Sequence, residues 1–278
     1  MTTQAKKAAA FRALHVRPGA FVIPNPWDAG TAKILTSLGF EALATTSAGL
    51  AFMLGAADGA GLVSRDATLA NARMIADATH LPVSADLENL FAHAPDEAAA
   101  TIPLAAATGL VGCSIEDATG DAANPIYPFD VAVARVAASV AAARRLAFPF
   151  VLTARAENLL HGRNDLPDTI RRLQAFEAAG ADVLYAPGLN TMEQIRSVLA
   201  AVTKPVNILV GSGNAHLTVA ELSAAGVKRI STGGAPARAA LGAFIRAGRE
   251  MKDHGTFTYG REAASFAEIL KHFRGAAA

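Results

Sequence analysis

The sequence lacks the features that mark secreted, thiolate-metal or membrane proteins. Its 278 residues include a single cysteine, Cys113, so neither an internal disulfide nor a cysteine-based zinc site can form. No stretch of ~18 residues is both uncharged and apolar throughout, as a transmembrane helix needs. Residues 1–12 have no apolar core of the signal-peptide type. These absences predict a protein of the reducing cytoplasm with no membrane partner.

An excess of charge of either sign is also missing. Lys and Arg number 25 and Asp and Glu 24, and a formal net charge of +1 gives no general attraction to nucleic acid. The seven histidines contain no His-x-His or i,i+4 pair, which argues against a histidine-rich metal site. Hydrophobic residues make up 52% of the chain, enough for a large buried core. We therefore expect a globular protein with no nucleic-acid partner.

Short apolar runs alternate with longer helix-periodic segments along the chain. The predicted strands are residues 20–24, 42–46, 82–86, 110–116, 148–154, 182–186, 206–210 and 229–232. The predicted helices that follow them are residues 29–38, 66–79, 95–107, 129–145, 167–179, 192–202, 217–225 and 236–251. Eight β/α units without a linker predict an α/β protein with one (β/α)8 TIM barrel domain, residues 1–278. A doubly wound open sheet is the alternative, but no Gly-x-Gly-x-x-Gly follows the first strand.

Two further helices are predicted outside the eight units, at residues 3–14 and 261–273. The second belongs to a C-terminal extension, residues 256–278, and carries Phe266, Ile269, Leu270 and Phe273 along one face. An amphipathic helix of this kind needs an apolar surface to cover. That surface belongs either to its own barrel or to the barrel of a neighbouring subunit.

Acidic residues concentrate where strands 3, 4 and 5 end. In a TIM barrel these ends form the catalytic face, so Asp86, Glu88, Glu116 and Arg155 should lie near one another, with Asp58 in the loop after strand 2. Converging carboxylates repel unless a cation lies among them, and hard oxygen ligands favour Mg²⁺. The alternative is that these acids only cap strand ends and face solvent.

Other polar strand ends suggest how an anionic ligand is held. The Arg155 guanidinium suits a carboxylate or phosphonate. Thr46, Ser47 and Ala48 offer hydroxyl and backbone N–H donors to an anionic oxygen. The glycine-rich ends of strands 7 and 8, residues 211–214 and 231–234, would suit a phosphosugar, but tight turns need the same glycines.

Five motifs in chain order resemble the isocitrate lyase/phosphoenolpyruvate mutase superfamily. They are Asn25-Pro-Trp-Asp-Ala-Gly30, Thr45-Thr-Ser-Ala-Gly49, Pro82-Val-Ser-Ala-Asp-Leu-Glu88, Ile115-Glu-Asp117 and Thr153-Ala-Arg-Ala-Glu157. The resemblance implies an enzyme that uses Mg²⁺, or Mn²⁺ in its place, on a small 2-oxo or dicarboxylic acid. It also implies a homo-oligomer, a dimer or tetramer, in which the last helix is exchanged between subunits.

The same resemblance implies a set of site residues. The implied metal ligands are Asp86, which binds directly, with Glu88 and Glu116, which bind through water. The implied substrate-binding residues are Trp27, Thr46, Ser47, Ala48, Asp86 and Arg155. The implied catalytic residues are Asp58, Glu116 and Arg155.

Two departures from the family pattern bear on the reaction. Residues 89–92 read Asn-Leu-Phe-Ala where the family has Gly-Tyr-Gly, so we expect a differently shaped loop beside the metal. The loop of residues 118–128 has neither the cysteine of the isocitrate-type lyases nor the lysine of the mutases. The proton donor is then Tyr127, Asp121 or a metal-bound water.

These features predict a Mg²⁺-dependent lyase. It would cleave a C–C bond in a small 2-oxo or 2-hydroxy carboxylate through an enolate, as oxaloacetate-decarboxylase-like relatives do. One alternative is a phosphonopyruvate-type P–C bond hydrolase or mutase. Another is a non-catalytic barrel that binds a 2-oxo acid.

Overall fold

Eight parallel strands form the sheet in the computed structural model, which describes residues 3–274. The strands are β1 (Phe21–Ile23), β2 (Leu43–Ala44), β3 (Val83–Asp86), β4 (Gly112–Glu116), β5 (Val151–Arg155), β6 (Val183–Tyr185), β7 (Val206–Leu209) and β8 (Arg229–Ser231). They lie in the order β1-β8-β7-β6-β5-β4-β3-β2. All eight overlap the predicted segments, and the (β/α)8 barrel is confirmed.

Helices surround this sheet. Within the described residues they are α1 (Gln4–Leu14), α2 (Ala29–Ser37), α3 (Ser47–Met53), α4 (Arg65–Asp77), α5 (Pro95–Ala99), α6 (Thr101–Ala106), α7 (Phe129–Arg144), α8 (Leu166–Ala178), α9 (Met192–Ala201), α10 (Val219–Ala225), α11 (Ala235–His254) and α12 (Phe266–Phe273). A short 3-10 helix, Thr258–Arg261, lies between α11 and α12. None of these helices has both the length and the apolar stretch needed to cross a bilayer.

The seam between β1 and β2 is closed by side-chain and single backbone contacts rather than by a ladder. The amide of Ala44 donates to the carbonyl of Pro24 over 3.1 Å. Asn25 donates to the carbonyl of Thr45 and accepts from the amides of Thr232 and Gly233. One buried asparagine therefore ties β1 to both of its neighbours at the carboxyl ends of the strands.

Helix α1 covers the opposite end of the barrel. Phe11 is completely buried among Phe21, Val111 and Val151, which begin or precede barrel strands. The side chain of Gln4 donates to the carbonyls of Ala106 and Leu110, at 2.7 and 2.8 Å. Because this end is filled, the carboxyl ends of the strands are the open face.

Three helix predictions need correction. The helix predicted at residues 95–107 is two helices, because Pro103 has no N–H and its ring opposes continuation past Ala99. Helix α3 was missed, although Thr46 caps it by accepting from the amide of Gly49. The C-terminal helix begins at Phe266 rather than at residue 261, with Ser265 as its cap.

The C-terminal extension exposes much of its apolar surface. Helix α12 lies against α2 of the same chain, where Oγ of Ser37 and Nδ1 of His272 are 2.6 Å apart. Phe257 and Phe266 remain 69% and 81% exposed. Residues 1–2 and 275–278, which the predicted domain and extension include, lie outside the described residues.

Candidate active site

Three acidic side chains at neighbouring strand ends meet one guanidinium group. Nη1 of Arg155 lies 3.0 Å from Oδ1 of Asp86 and 2.7 Å from Oε1 of Glu116. Nε of Arg155 lies 2.7 Å from Oε1 of Glu157. Only 11% of the Arg155 side chain is exposed, so the solvent screens these ion pairs weakly. The structure therefore brings the predicted Asp86, Glu116 and Arg155 into one cluster.

Asp86 accepts hydrogen bonds from three elements. Its Oδ2 atom accepts from the amide and the hydroxyl of Ser47, at 3.3 and 3.1 Å. Its Oδ1 atom accepts from Ser114 on β4, at 3.3 Å, as well as from Arg155. Its backbone amide donates to the hydroxyl of Thr45. These contacts fix the carboxylate at the centre of the strand ends.

The segment predicted to hold an anionic substrate forms the first turn of α3. Thr46 is the N-cap, Ser47 and Ala48 follow it, and Ser47 contacts Asp86. Trp27 packs against this turn at Gly49, where an added Cβ would lie 2.8 Å from Cβ of Trp27. Only glycine fits at position 49. Trp27 is half-buried and supports α3 from the side of β1.

Glu88 lies on a turn with an unusual backbone. Glu88, Leu90 and Phe91 have φ angles of 49°, 61° and 60°, which side chains other than glycine rarely adopt. Each such residue costs about 1–2 kcal/mol of strain. The turn thus keeps left-handed geometry although residues 89–92 contain no glycine. The Glu88 carbonyl accepts from the amide of Glu116 at 2.9 Å, which joins two of the predicted metal ligands.

The acids beside Arg155 differ from ordinary surface carboxylates. Burial and the charges of Asp86 and Asp58 raise the pKa of Glu88 to about 7. Burial also raises the pKa of Glu116, and the Arg155 guanidinium opposes that rise. Unfavourable crowding of negative charge therefore remains at this face even with one arginine present.

Asp58 lies on the exposed loop between α3 and α4, across a small gap from the cluster. A cavity of about 10 Å³ is lined by Asp58, Ser47 and Glu88, among others. Partial burial and the charge of Asp86 raise the pKa of Asp58, and the Ser47 hydroxyl opposes this effect. The loop thus brings Asp58 to the same face as the other predicted site residues.

Glu157 and Tyr185 also belong to this cluster, and sequence reasoning did not assign them. The Arg155 guanidinium lies 4.8 Å from the centre of the Tyr185 ring, and the two residues are paired in the β5–β6 register. Strand periodicity could have indicated Glu157, since residues two apart point to the same side. Only the sheet pairing could have indicated Tyr185.

The loop of residues 118–128 limits the choice of proton donor. The Asp121 carboxylate accepts from the amide of Ala123 and the side chain of Asn124, and these bonds lower its pKa. It is therefore ionised at neutral pH and has no proton to donate. The Tyr127 hydroxyl lies 2.5 Å from Nδ1 of His93, and burial raises its pKa.

The glycine-rich strand ends use their backbone amides internally. The amide of Gly211 donates to Oδ1 of Asn214 at 2.9 Å. The amides of Thr232 and Gly233 donate to Oδ1 of Asn25. The amides of Gly211, Thr232 and Gly233 are therefore not free to hold a phosphate.

The donor set at this face fits a hard divalent cation held partly through water. No three acidic, histidine or cysteine side chains in residues 3–274 form a ready-made metal cage. Asp86 and Glu116 pair with Arg155, whereas Glu88 takes part in no ion pair found in that range. Oxygen donors and excess negative charge are what Mg²⁺ requires, and it commonly keeps several waters.

A TIM barrel with an acidic, arginine-centred site at the carboxyl ends of its strands defines the class of this protein. The phosphoenolpyruvate phosphomutase family model matches residues 11–252. The chain belongs to that family, and the predicted membership of the isocitrate lyase/phosphoenolpyruvate mutase superfamily is confirmed. Its relatives include carbon–carbon lyases, in agreement with the predicted enzyme class.

Similar sequences include an uncharacterized protein and an oxaloacetate decarboxylase. The chain is 32% identical over 244 residues to the uncharacterized protein Rv1998c of Mycobacterium tuberculosis, covering 87% of this chain and 89% of that protein. It is 26% identical to an oxaloacetate decarboxylase of Chromohalobacter salexigens, covering 87% and 84%.

Several solved structures share the fold of this chain. A provisionally named lyase/mutase from Burkholderia cenocepacia J2315 is 57% identical, with a TM-score of 0.94 over 98% of this chain and 97% of that one. Oxaloacetate acetylhydrolase with its product oxalate is 26% identical, with a TM-score of 0.87 over 98% and 95%. Phosphonopyruvate hydrolase with oxalate and Mg²⁺ shares the fold at 24% identity and a TM-score of 0.84, over 96% and 94%.

Proposed function

We propose that the protein is a Mg²⁺-dependent lyase that cleaves a C–C bond in a small 2-oxo dicarboxylate, with oxaloacetate as the first substrate to test. The observation that carries this proposal is the contact of Asp86 and Glu116 with Arg155, beside the first turn of α3. A site with both acids and a guanidinium suits an anionic substrate that is held together with a cation.

Each group has a chemical role in this proposal. Asp86 would hold the ion directly, and Glu88 and Glu116 would hold it through water. When bound, Mg²⁺ supplies positive charge that stabilises a developing enolate oxygen. Arg155 would bind the carboxylate that departs, with its orientation fixed by Glu157.

The remaining predicted residues complete the substrate site. Thr46, Ser47 and Ala48 would hold the carboxylate of the 2-oxo acid, since they form the start of α3 and Ser47 contacts Asp86. Trp27 would shape the adjoining wall through its packing on α3. Asp58 would orient water on the opposite side of the cluster. Tyr127 or water would donate the final proton, because the Asp121 carboxylate is engaged within its own loop.

Substrate screening tests this function. We expect the protein to form pyruvate from oxaloacetate with Mg²⁺, and the reaction to stop when EDTA removes the ion. Oxaloacetate loses CO₂ slowly with metal alone, so a sample without protein is the control. Substituted malates and phosphonopyruvate are assayed in parallel.

The outcomes separate the alternatives. Turnover that persists in EDTA would reject the metal assignment. Phosphate release from phosphonopyruvate, without activity on the other acids, would favour a P–C hydrolase. Mg²⁺-dependent binding of oxalate without any turnover would favour a non-catalytic 2-oxo acid binding barrel.

We also propose that residues 1–278 act as one cytoplasmic barrel domain that assembles with further copies of itself. The exposed apolar side chains of α11 and residues 256–274 support this assembly. They are Leu241, Phe244, Ile245, Met251, Phe257, Tyr259, Phe266, Ile269 and Phe273. A surface of this kind marks an interaction site, and exchange of the C-terminal extension would cover it in a dimer or tetramer.

A charge placed on this surface should weaken assembly. Phe244 is 74% exposed, so Phe244→Glu should not disturb the barrel but should lower the mass of the assembly in light scattering. Val16→Glu is the matched control, because Val16 is 77% exposed after the end of α1 and is not part of the proposed interface. An unchanged mass in Phe244→Glu would count against the proposed interface.

A further inference from the structure

Arg135 is a buried cation that no acid neutralises. It lies on α7 and is only 1% exposed. Within residues 3–274, no Asp or Glu forms an ion pair with it. Its guanidinium instead donates to the carbonyls of Asn89, Ala92 and His93, the last two over 2.6 and 2.5 Å. Burying a charge is unfavourable unless hydrogen bonds compensate for the lost hydration, and these three contacts provide that compensation.

All three acceptors belong to the segment that directly follows Glu88. This segment contains the left-handed residues Leu90 and Phe91, which have no glycine to relieve the strain. Strained backbone persists only where its surroundings fix it. Arg135 binds carbonyls at both ends of the strained turn, and it therefore holds closed a conformation that the chain alone disfavours.

The same guanidinium reaches a second loop of the site. It lies 4.3 Å from the centre of the Tyr127 ring, at the end of the loop after β4. Tyr127 in turn contacts His93 through its hydroxyl group. Arg135 thus touches the loops that follow β3 and β4, the two strands that carry Asp86 and Glu116.

We propose that Arg135 is a positioning residue that fixes the turn carrying Glu88 and sets it against the loop of Tyr127. The role of Glu88 as a metal ligand rests on the proposed function; the conformational role of Arg135 does not. Glycine would adopt the left-handed backbone of this turn with little strain, whereas here the hydrogen bonds of a buried arginine stabilise it.

Amide hydrogen exchange tests the conformational role without any metal or substrate. Arg135→Lys keeps the charge, but one ammonium group cannot reach three separated carbonyls. We expect exchange in residues 87–93 to accelerate at least tenfold, with exchange in α8 unchanged. Arg144→Lys is the matched control on the same helix, because Arg144 binds Asp182 at the other end of the barrel.

Mn²⁺ binding, measured by electron paramagnetic resonance of the free ion, tests the positioning of Glu88. We expect Arg135→Lys to weaken Mn²⁺ binding by about tenfold, the range seen when groups that orient metal ligands are changed. Arg144→Lys should bind as the wild type does. In Arg135→Lys/Phe91→Gly, where glycine relieves the strain, we expect at least half of the loss, on a logarithmic scale, to be recovered.

The outcomes distinguish this inference from the proposed function. If the wild type does not bind Mn²⁺, the metal assignment fails, and hydrogen exchange alone decides the role of Arg135. Equal acceleration of exchange throughout Arg135→Lys would show a general structural role and overturn the inference. Wild-type exchange at residues 87–93 of Arg135→Lys would also overturn it. If the wild type binds Mn²⁺, full Mn²⁺ affinity in Arg135→Lys would overturn the positioning of Glu88.

Discussion

Replacement of Arg155 by methionine should lower the free energy of unfolding by about 3–5 kcal/mol and abolish turnover. The substitution leaves Asp86, Glu116 and Glu157 in a poorly solvated cluster without their shared cation. Burial already raises the pKa of Glu116, so this group would take up a proton and limit part of the loss. Urea unfolding at neutral pH measures the change in stability.

Two further variants separate stability from chemistry. Arg155→Met/Glu157→Gln removes one unpaired carboxylate, so it should recover part of the stability but none of the activity. Arg144→Met breaks an exposed pair with Asp182 and should cost less than about 1 kcal/mol. If Arg155→Met were as stable as Arg144→Met, the acids would not be held by the guanidinium as described.

Asp86→Asn should reduce kcat/KM by about 10³-fold or more for the acid that the substrate screen identifies. The change keeps the shape of the side chain but removes the charge that would hold Mg²⁺, whose electrophilic effect is worth several kcal/mol. The amide nitrogen of asparagine must also face either the backbone amide of Ser47 or the guanidinium of Arg155, which can only donate. Steady-state kinetics across a range of Mg²⁺ concentrations measures the loss.

Asp182→Asn provides the control for this experiment. Asp182 also pairs with an arginine, Arg144, but it does so where β6 begins, away from the open face. Its activity should stay within twofold of the wild type. If the Asp86→Asn variant retained more than a tenth of the wild-type kcat/KM, the proposed role of Asp86 in catalysis would be wrong.

Periodicity and strand-end acids carried much of the fold and the site. Strands alternate with helices in a regular order, and parallel strands place their carboxyl ends at one face, so Asp86, Glu116 and Arg155 could be grouped without coordinates. The roles assigned to these residues remain predictions. The register that pairs Arg155 with Tyr185 depends on the sheet as a whole, and no local pattern contains it.

Local patterns did not show every structural role of a residue. The substrate-binding role of Thr46 stays a prediction, and the structure shows that its hydroxyl also caps α3. The expectation that residues 89–92 form a differently shaped loop stays a prediction. The structure shows left-handed residues there without glycine, with Leu90 fully buried and Arg135 bound to the surrounding carbonyls. Distant packing thus compensates for an unfavourable local backbone, which a single sequence does not reveal.

Helix α1, with Phe11 buried under it, closes the amino-terminal end of the barrel, so the site is open only at the carboxyl ends of the strands. Whatever enters past Ser47 and Asp86 must leave by the same route, because α1 fills the other end. In the proposed lyase reaction, the product would therefore leave through the face by which the next substrate enters, so slow release of the product would lower kcat.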